Sequence, residues 1–175
     1  MIHKGVVEKI AAISSRTHGD ARKAVELLSK SAQIAERKGT AITMTIVDKA
    51  LDEIERDKYV AMIKSAPKQL QAALYSILSS VPGTAKSMNI RDFYGAYRSF
   101  CIKVKLRPLA DRAFSDLVSE LDIYGFIQVR FVSQGRYGRR REISGLLPQE
   151  VSERLKKVVL MEFDLDPASD RTFCR

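Results

Sequence analysis

Cysteine and histidine are scarce in this chain, with two of each among 175 residues. Cys101 falls inside a helical pattern, Cys174 is the penultimate residue, and no C-x-x-C pair exists. His3 and His18 stand near the N-terminus without ligand spacing. These counts exclude a disulfide framework and a zinc site, and they fit a reducing, intracellular compartment. Long apolar runs are missing as well: no stretch of about 18 apolar residues is present to span a bilayer. The opening MIHKGVVEKIAAISS mixes charge with apolar residues and reads as an amphipathic helix, not a signal peptide. Catalytic sets are equally absent. No G-x-x-x-x-G-K-[ST] phosphate loop occurs; Pro82-Gly83-Thr84-Ala85-Lys86-Ser87 is too short and lacks the first glycine at the right distance. No apolar strand ends in paired acids that would hold magnesium, and no Ser/His/Asp or Cys/His set is suggested. Internal repeats and low-complexity tracts are also lacking.

What the chain does hold is positive charge. Hydrophobic residues make up 45% and charged residues 29%, enough apolar material for a packed core. Lys and Arg number 30 against 21 Asp and Glu, for a net charge of +9 and a pI near 9.7. Such an excess calls for a polyanionic partner, nucleic acid first and an anionic membrane surface second. The charge is uneven. Residues 1–65 carry 12 basic and 9 acidic residues, residues 66–147 carry 13 and 6, and residues 148–175 carry 5 and 6, giving +3, +7 and −1. The middle block therefore holds most of the field.

The first block reads as helices alone. Val6, Ile10 and Ile13 form one apolar face, and a break follows at SRTHGD. A long helix is expected from about Asp20 to Lys38, with Ala21, Val25, Leu28, Ala32 and Ala35 inward and Gly39 as its left-handed terminator. Thr45 with Asp48 suggests a capping box for a third helix reaching about Ser65, with Val47, Leu51, Ile54 and Ala61 on one side. Pro67 stands at the boundary, where it can open the next helix.

The middle block begins with helices over Pro67–Ser80 and Ile90–Val104, separated by the loop VPGTAKSMN. A third is expected from Pro108 to about Leu121, with Leu109, Ala113, Leu117 and Leu121 inward. Tyr94, Tyr97 and Phe100 read as core rather than as a base-stacking platform. Gly125 then ends the helical phase, and period two takes over in FIQVRFVS, with Ile127, Val129 and Phe131 alternating with Gln128, Arg130 and Val132. SQGRYG is a glycine-rich turn and RRREISGLL returns as a second strand. Helix–helix–turn–helix–hairpin is the pattern of a winged helix-turn-helix. An amphipathic helix follows from Pro148 to about Met161, and the end reads as loose. The fold class is thus mainly α, a small helical bundle over residues 1–65 followed by a winged helix-turn-helix with a two-stranded wing over 66–161, with a loose tail over 162–175.

Two features carry the candidate chemistry. The first is Gly135-Arg136-Tyr137-Gly138-Arg139-Arg140-Arg141, four arginines and an aromatic on a hairpin tip. Arginine forks bind phosphate oxygens in bidentate fashion and enter narrow minor grooves. The same run could also be a solvated charged turn. The second is the polar face of the third middle-block helix. Arg112, Ser115 and Ser119 face out there among Asp111 and Asp116, and Arg107 just before it is placed for phosphate. Arg112 could read guanine, or it could pair with Asp116 one turn on. Arg22, at the start of the long helix, would by itself be an exposed first-turn arginine.

The stretch PLADRAFSDLVSELDIYGFIQVRFVSQGRYGRRREI resembles the C-terminal winged helix of archaeal replication initiators, relatives of the eukaryotic origin recognition complex and its loader partner. Upstream, GDARKAVELLSKSAQIAERKGTAITMTIVDKALDEIERD resembles the lid of the AAA+ ATPase module in the same family. Together they cover about residues 5–147. The resemblance implies a C-terminal fragment that begins inside the lid, double-stranded origin DNA as partner, and other initiator subunits or a helicase as further candidates. It implies minor-groove contact by Arg136, Tyr137, Arg139 and Arg140, with Arg141 beside them as a further DNA-binding residue of the wing, and major-groove contact by Arg112 and Ser115. Arg22 matches the arginine that reaches the nucleotide γ-phosphate from the lid. ATP or ADP with magnesium is then expected in the full-length protein and no cofactor or ATPase activity in this chain. A cytoplasmic, nucleoid-associated monomer without membrane contact follows. The competing reading is a winged-helix transcription regulator that dimerises through its helical block.

Overall fold

A computed structural model of the chain describes residues 2–15, 21–80, 88–133, 139–145 and 147–166. They divide into two compact units, Met1–Lys58 and Tyr59–Arg175.

The first unit is built from helices α1 (Val6–Ser15), α2 (Ala21–Lys38) and the greater part of α3 (Met44–Ser65). Its core holds Val6, Ile10, Leu27, Ile34, Ala35, Ile46, Val47 and Ala50. Gly39 ends α2 with φ +62°, as the sequence suggests. The buried arc of α2 differs from the expected stripe. Ala21 and Ala32 are exposed and Val25 is 66% exposed, whereas Leu27, Ser31, Ile34 and Ala35 are buried. Both stripes have helical spacing. The true one is disguised by a serine, whose hydroxyl donates to Leu27 O at 2.7 Å and so enters the core with its hydrogen bond made. The start of α3 also differs: Thr43 Oγ1 accepts from Ile46 N at 3.4 Å, and Asp48 pairs with Lys9 at 2.7 Å instead of closing a box with Thr45.

The seam between the units falls inside α3. Tyr59, Val60 and Ile63 at its end belong to the second core, and Ala61, expected inward, is exposed. Buried Gln71 donates to Ile63 O at 2.8 Å and to Ala66 O at 3.2 Å, satisfying carbonyls that the end of α3 leaves open.

The second unit runs α4 (Lys68–Ser80), β1 (Met88–Asn89), α5 (Ile90–Lys103), α6 (Asp111–Ile123), β2 (Ile127–Ser133), β3 (Arg139–Gly145) and α7 (Gln149–Glu162). Residues Leu70 to Leu78 of α4 are all buried, so this helix is the centre of the unit. Phe93, Tyr97, Phe114, Val118, Leu121, Phe126, Ile143 and Leu155 pack in the same core. The sheet has three strands in the order β1-β3-β2, all antiparallel, rather than the two of a bare hairpin. The extra strand comes from the last two residues of the expected loop: Met88 pairs with Ile143 and Asn89 with Glu142. Two residues are too few to show a period, so only the partner strand reveals them.

Helix α6 starts at Asp111, three residues later than Pro108. Ala110 is extended at φ −66°, ψ 157°. The run into the helix is held by side chains: Tyr94 Oη donates to Leu109 O at 2.9 Å, Leu109 N donates to Tyr97 Oη at 3.2 Å, and Gln69 Nε2 donates to Arg107 O at 2.8 Å. Those bonds take up backbone groups that a helix starting at Pro108 would have needed. The buried face is Phe114, Val118 and Leu121, with Leu109, Ala113 and Leu117 at its margin. In β2, Ile127 is buried and Val129 half-buried, but Phe131 is 64% exposed, because the hairpin runs out beyond the core. Phe163 and Leu165, inside the stretch read as tail, pack onto the second core, and Leu165 N closes α7 by donating to Leu160 O at 2.9 Å. Residues 167–175 lie outside the described residues. No helix among the described residues is long and apolar enough to cross a membrane.

Candidate nucleic-acid interface

The wing is built by the pairing of β2 with β3, Ile127 opposite Gly145 out to Ser133 opposite Arg139. Its tip, residues 134–138, lies outside the described residues, and with it Arg136 and Tyr137. Arg139 is the first residue of β3. The next two arginines point to opposite faces, as strand alternation requires. Arg140 Nε donates to Glu142 Oε1 at 2.9 Å, and its Nη2 donates to the same oxygen. This carboxylate sits two residues along one face of the strand and orients the Arg140 guanidinium. Arg141 lies on the other face, with Ile143. Its Nη1 donates to Ser119 Oγ at 3.4 Å, and its guanidinium stands 5.3 Å from the centre of the Phe131 ring.

Helix α6 presents the second part of the surface. Arg112 and Asp116 are exposed, Ser115 and Ser119 half-buried. Among the described residues no ion pair joins Arg112 to Asp116. Ser119 Oγ also donates to Ser115 O at 3.0 Å. Ser119 is therefore turned towards the wing, where it meets Arg141. Arg107 is exposed ahead of the helix. Sequence reasoning placed these residues on the surface but missed Glu142 and Phe131. The period of two was the available signal: residues 140 and 142, like 131 and 129, share a face.

Burial pushes the Tyr97 hydroxyl up to about 12 and raises the buried Cys101 thiol, which is therefore no thiolate nucleophile. Among the described residues no group of three His, Cys, Asp or Glu could hold a metal ion. In the first unit, Arg22 is exposed on the first turn of α2, where Ala21, Arg22, Val25, Glu26 and Ser29 line an open concavity.

Comparison with known proteins finds matches to both units. The family model described as CDC6, C terminal winged helix domain, matches residues 61–154, and that described as Cdc6 AAA+ ATPase-type lid domain matches residues 1–52. The ORC1-type DNA replication protein of Pyrococcus furiosus is 38% identical over 168 residues, which cover 95% of this chain and 39% of that protein. ORC1-type DNA replication protein 1 of Methanosarcina acetivorans is 37% identical over 168 residues, 94% of this chain and 40% of its own length. Among solved structures, the Aeropyrum pernix ORC1 protein in complex with DNA is similar with a TM-score of 0.74 and 32% identity, covering 89% of this chain and 41% of that one. The chain thus spans about two-fifths of the relatives it matches. It belongs to the ORC1/Cdc6 family of replication initiators, and what it carries of that family is the AAA+ lid and the C-terminal winged helix.

Proposed function

We propose that this chain binds double-stranded DNA at replication origins, with α6 against the major groove and the basic wing in the minor groove. The observation that carries the reading is the contact of Arg141 with Ser119 and Phe131, which ties the wing to the exposed face of α6. A cationic wing joined in this way to a helix with an exposed arginine can address adjacent grooves of one duplex. A relative solved with DNA supports the same reading. Basic residues release counterions and supply most of the affinity, Arg112 and Ser115 set the register at the bases, and Arg136, Tyr137, Arg139 and Arg140 sense groove width. Arg107 takes a phosphate beside them. The test is fluorescence anisotropy with a labelled origin duplex. Arg139→Ala with Arg140→Ala should weaken binding several-fold, and an unchanged Kd at moderate salt would refute the proposal.

The lid reading assigns Arg22 to a nucleotide. Its exposed guanidinium beside an open concavity fits a γ-phosphate presented by another domain. ATP or ADP with magnesium would then be bound by the full-length protein, and the nucleotide would bias the lid. The 175 residues contain no phosphate loop, so we expect no hydrolysis by this chain alone. Residues 1–65, 66–161 and 162–175 serve in this reading as lid, DNA-binding domain and tail. The isolated chain is a monomer associated with the nucleoid, and other initiator subunits or a helicase are its protein partners. The competing reading, a regulator dimerising through the helical block, is not favoured by relatives named as replication proteins.

A further inference from the structure

Within the second unit, the junction of α3 with α4 and the C-terminal half of α6 leave a cavity between them. Met62, Pro67, Leu70 and Phe126 give it apolar walls, and Glu120 and Tyr124 stand on its α6 side. Its volume is about 220 Å³. A single water needs roughly 10–15 Å³, so there is room for a long side chain. The walls are held from behind. Buried Gln71 ties the carbonyls of Ile63 and Ala66 across the junction, and the Phe126 ring packs 5.4 Å from that of Tyr59.

Charge and shape say what this cavity takes. The chain carries +9 overall, yet the charged residue of the lining is an acid, Glu120. It is half-buried, and among the described residues no ion pair engages it. Its carboxylate accepts from the Tyr124 hydroxyl one turn on, which raises the pKa of that hydroxyl. The Ser65 hydroxyl, also in the lining, is engaged by Ala61 O at 3.2 Å and Met62 O at 3.0 Å. A phosphate would be repelled by the carboxylate, and a purely apolar side chain would bury it unpaired. A cation on an apolar stem satisfies both the wall and the acid. The Tyr124 ring beside the carboxylate favours arginine over lysine, because a guanidinium forks onto a carboxylate and also stacks on an aromatic face. At the mouth Met62 is 37% and Tyr124 43% exposed, an apolar rim that a crossing peptide chain would cover.

We infer that this cavity receives an arginine side chain presented by a partner protein, its guanidinium on Glu120 and Tyr124 and its methylenes against Met62 and Phe126. The inference goes beyond the DNA-binding reading and does not rest on it. Ser119, which meets the wing, and Glu120 are neighbours in α6 and so point about 100° apart around the helix. The protein surface therefore lies on a different face of α6 from the one joined to the wing.

The probe is the tripeptide Leu-Arg-Leu, acetylated and amidated, titrated into the whole isotope-labelled chain and followed by NMR. Millimolar binding is expected, with amide shifts gathered at Met62, Ala66, Leu70, Glu120 and Tyr124. Citrulline in place of the arginine, similar in shape but uncharged, should abolish those shifts, and lysine should weaken binding several-fold. Glu120→Gln should lose the arginine peptide while Tm and duplex affinity stay as in the parent. Glu120→Lys should transfer the preference to Leu-Glu-Leu; a merely structural role for Glu120 would lower Tm without exchanging the preferred peptide. Shifts that lie elsewhere, citrulline binding as well as arginine, or no binding up to the solubility limit of Leu-Arg-Leu overturns the inference. None of these outcomes touches the DNA-binding reading, which is decided by Arg139→Ala with Arg140→Ala.

Discussion

Tyr97 has its ring fully buried, while its hydroxyl donates to Gln69 Oε1 and accepts from Leu109 N at 3.2 Å. Burial raises its pKa from the ordinary 10 to about 12. The folded state thus keeps the proton longer than the unfolded chain. The stability it contributes is fully present below about pH 10 and is lost as pH rises through about 12. Chemical denaturation between pH 9 and about 12 should show a steeper loss for the parent than for Tyr97→Phe, which should itself be about 1–2 kcal/mol less stable at pH 7. Arg141 offers a second residue-scale expectation. It stacks on Phe131 and bonds Ser119, so a lysine keeps its charge but not its planar fork. Arg141→Lys should weaken duplex binding with little change in salt slope, measured by anisotropy. The sequence marked Arg141 as a cation in a basic run. It could not show that this arginine reaches back to α6, because Ser119 is 22 residues away and the contact depends on how the hairpin folds over.

At the scale of elements, the most legible were those with a long period. Helices α4, α5 and α7 lie close to where apolar spacing predicts them, with Leu70, Leu74 and Ile77 buried in the first and Phe93, Tyr97 and Cys101 in the second. The errors arose where two readings share one period. In α2 a buried serine concealed the inward face, and before α6 three hydrogen bonds hold the backbone extended through a position where proline would readily start a helix. Helix α7 contributes Val151, Leu155, Val159 and Leu160 to the second core, partly beyond the stretch matched by the winged-helix family model. It is integral to the unit and not an appendage. Leu155→Ala should therefore cost about 2–5 kcal/mol, read as a fall in Tm and in the denaturant midpoint.

For the whole molecule, net charge sets the response to salt. If about six phosphates are neutralised, the logarithm of affinity should fall with the logarithm of salt at a slope near −5. Binding titrations between about 50 and 200 mM salt measure it; a slope near zero would mean that the +9 charge has no part in recognition. Sedimentation at the same concentrations should give a monomer, since a stable dimer belongs to the regulator reading. No phosphate release from ATP is expected of the chain alone.

The order of elements, the concentration of positive charge in the middle block and the likeness to replication initiators are properties of the linear sequence. They depend on composition, local period and motif spacing, each carried by neighbours along the chain. The tertiary structure decided which arc of α2 is buried, that Met88 and Asn89 complete a sheet, that Glu142 holds Arg140, and that Arg141 joins the wing to α6. Each is a contact between segments, and a hydrophobic period specifies which face turns inward without specifying what it meets.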